Sequence, residues 1–416
     1  MKINSNTIRK LIPVHIFLLI VFLFLWSVVG IPWEIIYIFD LLVCAEFVWA
    51  LRGIQPTLRR TKTKYLLPWF LFFALYLVLT QLFNFVSPML AAMAFRRTFR
   101  FYLFFLVCAV LLTTQSIEKI MKMLVKLQIL NFGLTLFQYF VQELSGDYLG
   151  GIFGIENGAN AYSNVFLCLI CTYMVVKYLE KKEKLLPMLM TIGSALVIAA
   201  LAELKMFFIE IIVIMLMGIL LSRPGIRTVK TIFYFILGFV AAITLLGSIF
   251  PEHLAILLDW ALFEQYTTEE IAGYTISRLN AFPEINEIFF RDDWLRNLFG
   301  YGFGNCEEGS AFFEQYARYK YTWFTHQVTF LETGYVGIIF YISFFVLIFV
   351  FSAKSRKVNP ENRLYYILGQ IISVLCVFWM IYDQSLRREV AFLIFFALAI
   401  PVAVRNEWVK ALRNVG

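Results

Sequence analysis

Charge and histidine are what this chain has least of. Charged residues make up 15% of its 416 residues, and there are three histidines, His15, His253 and His326. None of the three stands in a His-Glu-x-x-His or Cys-x-x-Cys setting, so the usual zinc-ligand patterns are missing. The six cysteines build no disulfide framework: Cys44, Cys108, Cys168, Cys171 and Cys376 fall in apolar stretches, and Cys306 lies alone in a connector. Neither a protein-held metal nor a cofactor is expected. Although the formal net charge is +8, the basic residues sit between apolar runs, which argues against a nucleic-acid-binding face. Internal repeats and low-complexity tracts, the mark of many two-halved transporters, are not visible either.

What remains is apolar. Hydrophobic residues reach 61% and the mean hydropathy is +0.77, far outside soluble usage. Lipid offers no partner for a bare peptide group, so apolar stretches of about 20 residues read as helices. Such stretches lie near 11–31, 33–51, 65–86, 99–114, 125–142, 161–178, 185–202, 206–221, 231–250, 326–351, 364–382 and 389–404. The expected fold is all-α and polytopic, with about twelve transmembrane helices in a single membrane domain over residues 1–416. The first stretch is too long and too aromatic for a signal peptide and is read as helix one. The largest connector, 251–325, separates helices nine and ten. Within it, 252–271 and 281–298 have the spacing of short amphipathic helices lying at the interface.

Basic flanks are retained in the cytoplasm. With both termini placed there, 25 of the 36 lysines and arginines fall on the inner side. The other eleven, Arg96, Arg97, Arg100, Lys205, Arg278, Arg291, Arg296, Arg318, Lys320, Arg387 and Arg388, fall outside and carry the functional question. Asp40 and Glu46 lie within the second span, where an ionised carboxylate costs about 2.5 to 3.5 kcal/mol, and are expected to face polar protein.

Four local patterns lie between residues 151 and 337. Gly151-Ile152-Phe153-Gly154 to Ala159-Asn160 is a Gly- and Asn-rich stretch directly before a span. Ala202-Glu203-Leu204-Lys205-Met206-Phe207 is a short turn between two spans presenting a basic residue. Ser277-Arg278-Leu279 is followed by Asn297-Leu298-Phe299-Gly300-Tyr301-Gly302-Phe303-Gly304. Thr325-His326-Gln327 is followed by Phe330-Leu331-Glu332-Thr333-Gly334-Tyr335-Val336-Gly337. In order and spacing these resemble the O-antigen polymerase and O-antigen ligase superfamily, over about residues 150–350. The match departs from the family at Lys205, where arginine is usual in the ligases.

The resemblance implies a C-type glycosyltransferase-like membrane fold. It also implies a polysaccharide polymerase, for O-antigen, capsule or exopolysaccharide repeat units, in the bacterial cytoplasmic membrane. Such an enzyme moves a growing glycan from a polyprenyl diphosphate carrier to a sugar hydroxyl of a lipid-linked repeat unit. A flippase and a chain-length regulator are then the expected protein partners. A ligase joining the same donor to another acceptor shares the motifs, and a lipid-linked glycan flippase is the rival from another class.

The chemistry itself needs cations to neutralise a departing diphosphate, a base for the attacking hydroxyl and an oriented acceptor. Arg278 and Lys205 are the candidate diphosphate cations, a bidentate fork and a point charge respectively. His326, with an ordinary pKa of about 6.5, is the candidate base. Each has a bland reading: a solvated loop charge for Arg278, a turn tip paired with Glu203 or Glu210 for Lys205, an interfacial helix cap for His326. Arg96, Arg97 and Arg100, read as opening span four, are candidate substrate-binding residues whose alternative is phospholipid contact. Arg387 is a further candidate, with local ion pairs to Asp383 or Glu389 as its alternative. Glu203 and Glu332, inside the second and fourth patterns, complete the candidate substrate-binding set. Gly300, Gly302 and Gly304 are read as turns.

Overall fold

The computed structural model describes residues 11–249, 251, 259 and 276–415. Helices follow one another as α1 (Leu11–Val29), α2 (Ile36–Thr61), α3 (Leu66–Phe83), α4 (Pro88–Leu111), α5 (Thr114–Phe140), α6 (Ala159–Leu179), α7 (Leu185–Leu201), α8 (Lys205–Leu221) and α9 (Ile226–Ile249). Three short helices, α10 (Ala281–Ile285), α11 (Trp294–Phe299) and α12 (Ala311–Tyr316), precede α13 (Thr325–Val358), α14 (Arg363–Tyr382) and α15 (Ala391–Val415). No strand occurs among the described residues. Among the described residues, seven helices, α1, α3, α5, α6, α13, α14 and α15, are long and apolar enough to cross a membrane. The protein is an all-α, multi-pass membrane protein. The expected segment 252–271 lies, apart from residue 259, outside the described residues.

Burial separates the centre of the bundle from its rim. In α6, 89% of the apolar window is buried, and in α14 and α15 78%, against 33% in α3 and α5. A helix such as α3 buries one stripe only, Leu66, Trp69, Phe73, Leu77 and Thr80, at the three- and four-residue spacing of a single face. That stripe feeds an aromatic cluster of Trp69, Phe73, Tyr102, Phe344 and Phe395, which joins α3, α4, α13 and α15. The Trp69 indole N–H donates to Ser343 Oγ at 2.7 Å, so the buried ring carries no bare donor.

Helix α4 begins earlier than its hydropathy predicts. Ser87 accepts from the Leu90 N–H, and Pro88 occupies the first helical position, where its missing N–H costs nothing. Arg96, Arg97 and Arg100 therefore lie two turns and more inside the helix instead of opening it. The 281–298 segment also differs from a single run. A π-helical turn at Asn286–Phe290 and left-handed residues at Arg291 and Asp292 divide it, and Asp293 restarts the helix by accepting from Leu295 N and Arg296 N.

Helix α13 is broken at Gly334, where φ is 57° and ψ is −165°. The break frees carbonyls that nothing inside a bundle would satisfy by default. Tyr301 N donates to Leu331 O at 2.8 Å, Gly302 N to Glu332 O at 2.9 Å, and the Tyr76 hydroxyl to Thr333 O. The glycine series is thus docked on protein. A Cβ at Gly300 would collide with the backbone of Glu332 and Thr333, and one at Gly334 with the backbone of Asn297 and Leu298.

Gly300→Ala is expected to lower stability by at least about 2 kcal/mol, combining a left-handed backbone with a backbone collision. Gly133→Ala, in α5 with open space around it, is expected to be neutral or to stabilise by up to about 1 kcal/mol. Thermal unfolding of the two variants in one detergent checks the contrast.

Candidate functional site

At one end of the bundle, a cavity of about 230 Å³ is lined by Trp33, Tyr37, Arg96, Arg97, Arg100, Glu307, Thr322, Gln384, Arg387, Arg388 and Glu389 among others. Three stretches distant in sequence supply its charge: α4, the loop after the glycine series, and the 383–390 loop between α14 and α15. The spacing of Arg96, Arg97 and Arg100 turns all three towards the same side of α4, facing Asp40 on α2 and the two loops.

The arginines are held in a connected network. Arg96 Nη1 donates to Asp40 Oδ2 at 2.7 Å, and its guanidinium lies 4.5 Å from the Tyr37 ring centroid. Arg100 donates to Asp40 Oδ1 at 3.2 Å and to Glu389 Oε1 at 2.8 Å, with Phe101 and Phe392 against its guanidinium. Tyr162, from α6, donates to Glu389 Oε2 at 3.2 Å. Arg97 and Arg387 both donate to Glu307, one to each carboxylate oxygen. Glu332 lies beneath, 3.9 Å from Arg387 Nη2, and its Oε1 accepts from the Cys306 N–H at 3.3 Å. Burial, with Arg97 and Arg388 beside it, pulls Arg387 down to about 9, still a cation at neutral pH.

The structure therefore brings Arg96, Arg97, Arg100, Arg387 and Glu332 together. Arg387 reaches Glu307 instead of a neighbour in its own loop, which corrects the expected local pairing, and Glu389 is held by Arg100 from α4. Arg278 and His326 sit beside the cavity, not on its wall. The Arg278 guanidinium stacks on Phe324 at 4.9 Å and Tyr382 at 4.8 Å, two residues along the chain from Thr322 and Gln384. His326 Nε2 lies 2.9 Å from Arg278 O, and Nδ1 lies 3.1 Å from Met380 O. Both ring nitrogens thus meet carbonyl oxygens, which only accept, so a neutral ring donates to one of them alone.

Lys205 opens α8 after the tight turn 202–204, in which Glu203 adopts φ 55° and its carbonyl accepts from Lys205 N. The turn belongs to the same end of the bundle, since Asn160 at the start of α6 donates to Ala202 O at 3.3 Å. Neither Lys205 nor Glu203 lines the cavity; the Glu203 carboxylate faces Gly146. Glu210 is fully buried and turned to α6, accepting from Asn164 at 2.9 Å and Cys168 at 3.1 Å.

Glu307 and Tyr162 are members of the network that sequence reasoning missed. For Glu307 the available signal was an acidic pair, Glu307-Glu308, three residues after the glycine series; Tyr162 had none beyond its place at a span opening. No cluster of three or more His, Cys, Asp or Glu positioned for a metal ion occurs among the described residues. No protein-family model and no curated protein matches the chain.

Asp383 follows α14 and touches both neighbourhoods. Its carbonyl accepts from Thr325 N and Oγ1 at 2.9 Å, and Ser385 N donates to its Oδ1 at 2.7 Å. Burial raises its carboxyl from 3.8 to about 6, opposed by Ser385 and by the Arg278 cation. The folded state thus keeps a proton that the unfolded chain has released. Stability from this group is full below about pH 4 and is lost as pH rises through about 6.

Asp383→Asn is expected to flatten that decline, worth about 1 to 3 kcal/mol, in thermal unfolding measured between about pH 4 and 6.5. Arg100→Ala leaves Glu389 buried without its cation and is expected to cost about 3 to 5 kcal/mol. Arg388→Ala, an exposed side chain on Gln384, is expected to cost under about 0.5 kcal/mol in the same assay.

Proposed function

We propose that the chain is a polysaccharide polymerase. It transfers a growing glycan from a polyprenyl diphosphate carrier to a sugar hydroxyl of a lipid-linked repeat unit. The observation that carries this reading is the cavity: five guanidinium groups converge at one end of a lipid-soluble bundle. That is where a diphosphate with its tail in the bilayer would bring its charge. A diphosphate is already a good leaving group, so fixed cations and an oriented acceptor supply most of what the reaction requires. Guanidinium suits the task because its planar fork binds phosphate oxygens in pairs.

In this reading α1 to α9 and α13 to α15 all span the bilayer, making twelve crossings. Beyond the seven long apolar helices, α2, α4, α7, α8 and α9 cross as well, the charged α2 and α4 because neighbours satisfy them. The end opposite the cavity is the cytoplasmic one. There Arg356 and Arg363 donate to Leu221 O at 2.8 and 2.6 Å, Arg60 to Asn406 at 3.0 Å, and Lys177 pairs with Glu183. A basic rim of this kind is retained inside, so both termini are cytoplasmic and the cavity opens to the outer face of a bacterial cytoplasmic membrane. A flippase would then deliver the repeat units, and a chain-length regulator would set the product.

Arg278 and Lys205 are the additional cations for the departing diphosphate, and His326 the base. For that role His326 Nε2 has to leave the Arg278 carbonyl, which couples the base to the loop that carries the cation. A glycosyltransferase of the ligase kind would use the same donor residues, and its acceptor separates it from a polymerase.

The test is reconstitution of the purified protein with lipid-linked repeat units and no nucleotide sugar. Wild type is expected to yield a ladder of lengthening lipid-linked chains, and His326→Ala to slow it by about 10²- to 10⁴-fold. Arg278→Ala and Arg97→Ala are expected to lose the ladder while staying folded. Relocation of intact substrate across the bilayer with no new glycosidic bond would refute the polymerase and point to a flippase.

A further inference from the structure

The cavity is better neutralised than its arginines alone imply. Arg96, Arg97, Arg100, Arg387 and Arg388 stand among Asp40, Glu307, Glu308, Glu332 and Glu389. Arg96, Arg97, Arg100 and Arg387 are each already paired with a carboxylate. An anion enters by exchange with a carboxylate already there.

The five carboxylates are not equally replaceable. Asp40 and Glu389 hold Arg100, which is 5% exposed, and their departure would strand a buried cation. Glu332 is 1% exposed and tied to Cys306 N. Glu308 is exposed at the rim. Glu307 alone stands on the cavity wall and bridges two arginines from separate elements, Arg97 of α4 and Arg387 of the 383–390 loop. Its backbone is pinned: the Tyr321 hydroxyl donates to Cys306 O at 2.8 Å, and Ser310 N donates to Glu307 O at 3.1 Å. The side chain can therefore turn away while the loop stays in place.

We propose that Glu307 is the exchangeable counter-ion of the cavity, and that this exchange makes the site select a diphosphate or a similarly multianionic group over a phosphodiester. A single negative charge that displaces Glu307 only restores what the carboxylate already gave. A group with two or more charges satisfies Arg97 and Arg387 together and adds attraction that the carboxylate lacked. Phosphodiester headgroups of the surrounding bilayer are thereby kept out of a site they outnumber. The inference rests on the reading of the cavity as the diphosphate site and assigns its charge selectivity to one residue.

The full-length protein in nanodiscs, titrated calorimetrically with inorganic pyrophosphate and with dimethyl phosphate, tests this. Wild type is expected to bind pyrophosphate and to bind dimethyl phosphate at least about tenfold more weakly. Glu307→Gln is expected to bind both about tenfold or more tighter, so that the monoanion gains a place that wild type denies it. Glu307→Asp keeps the charge but is one methylene too short to reach both guanidiniums, and is expected to fall between the two, which covers the case of a glutamine variant that does not fold. Farnesyl diphosphate in the same nanodiscs separates sources: tighter than pyrophosphate means a lipid carrier, parity a soluble diphosphate, and the exchange stands in either case if Glu307→Gln strengthens both. Unchanged or weaker pyrophosphate binding by the Glu307 variants, with Arg97→Ala still weakening it, overturns the exchange and leaves the anion site. Absence of any binding by wild type and by Glu307→Gln overturns the anion site as well.

Discussion

A guanidinium inside a membrane bundle has to meet its counter-charge there, because neither lipid nor distant water can supply one. In this protein that constraint centres on Arg100. Held between Asp40 and Glu389 and flanked by the rings of Phe101 and Phe392, it ties α2, α4 and the approach to α15 to a single point. Arg96 shares Asp40, Tyr162 shares Glu389, and the neighbouring Arg97 extends the network through Glu307 to Arg387. Arg96, Arg97, Arg100 and Arg387 are each fixed by a carboxylate on another element, and these pairs hold the shape of the cavity.

The broken helix α13 gives the other half of the support. Its freed carbonyls take N–H groups from the glycine series, and the same series then leads directly into Glu307. A glycine in the left-handed region at 334 and another at 300 let two backbones cross where side chains would keep them apart. The backbone crossing therefore sets where the acidic loop begins, within reach of Arg97 and Arg387. Irregular backbone at this depth is tolerated because protein, not lipid, covers it.

Much of this was legible from hydropathy alone. The apolar runs, the one-residue-scale positions of the tight 202–204 turn and the polar surroundings expected for Asp40 and Glu46 all follow from what lipid forbids; Glu46 indeed lies 3.3 Å from His15 Nδ1. The start of α4 was not legible, because three arginines depress the hydropathy of a helix whose charges are cancelled by residues elsewhere in the chain. The partner of Arg387 was hidden for the same reason: sequence proximity favoured Asp383 and Glu389, while the tertiary fold brought Glu307 from 80 residues away. Glycines 300, 302 and 304 read as turns, and their actual role, close approach to α13, α3 and α4, depends on neighbours no local pattern encodes.

The long reach of these ion pairs bears on how the protein is made. Arg100 and Glu389 are 289 residues apart in the chain, so at ribosomal rates of about 5 to 20 residues per second roughly 15 to 60 s separate their synthesis. At the start of that interval α4 has Asp40 as the nearest carboxylate already made, and Glu307, Glu332 and Glu389 follow only later. The nascent chain must pass through a state in which a charged helix is only partly compensated, sheltered by the insertion machinery or by water at the bilayer edge. A chain that stops before residue 389 keeps Arg100 with Asp40 alone, so an unfinished copy lacks the second carboxylate that closes the pair in a finished one.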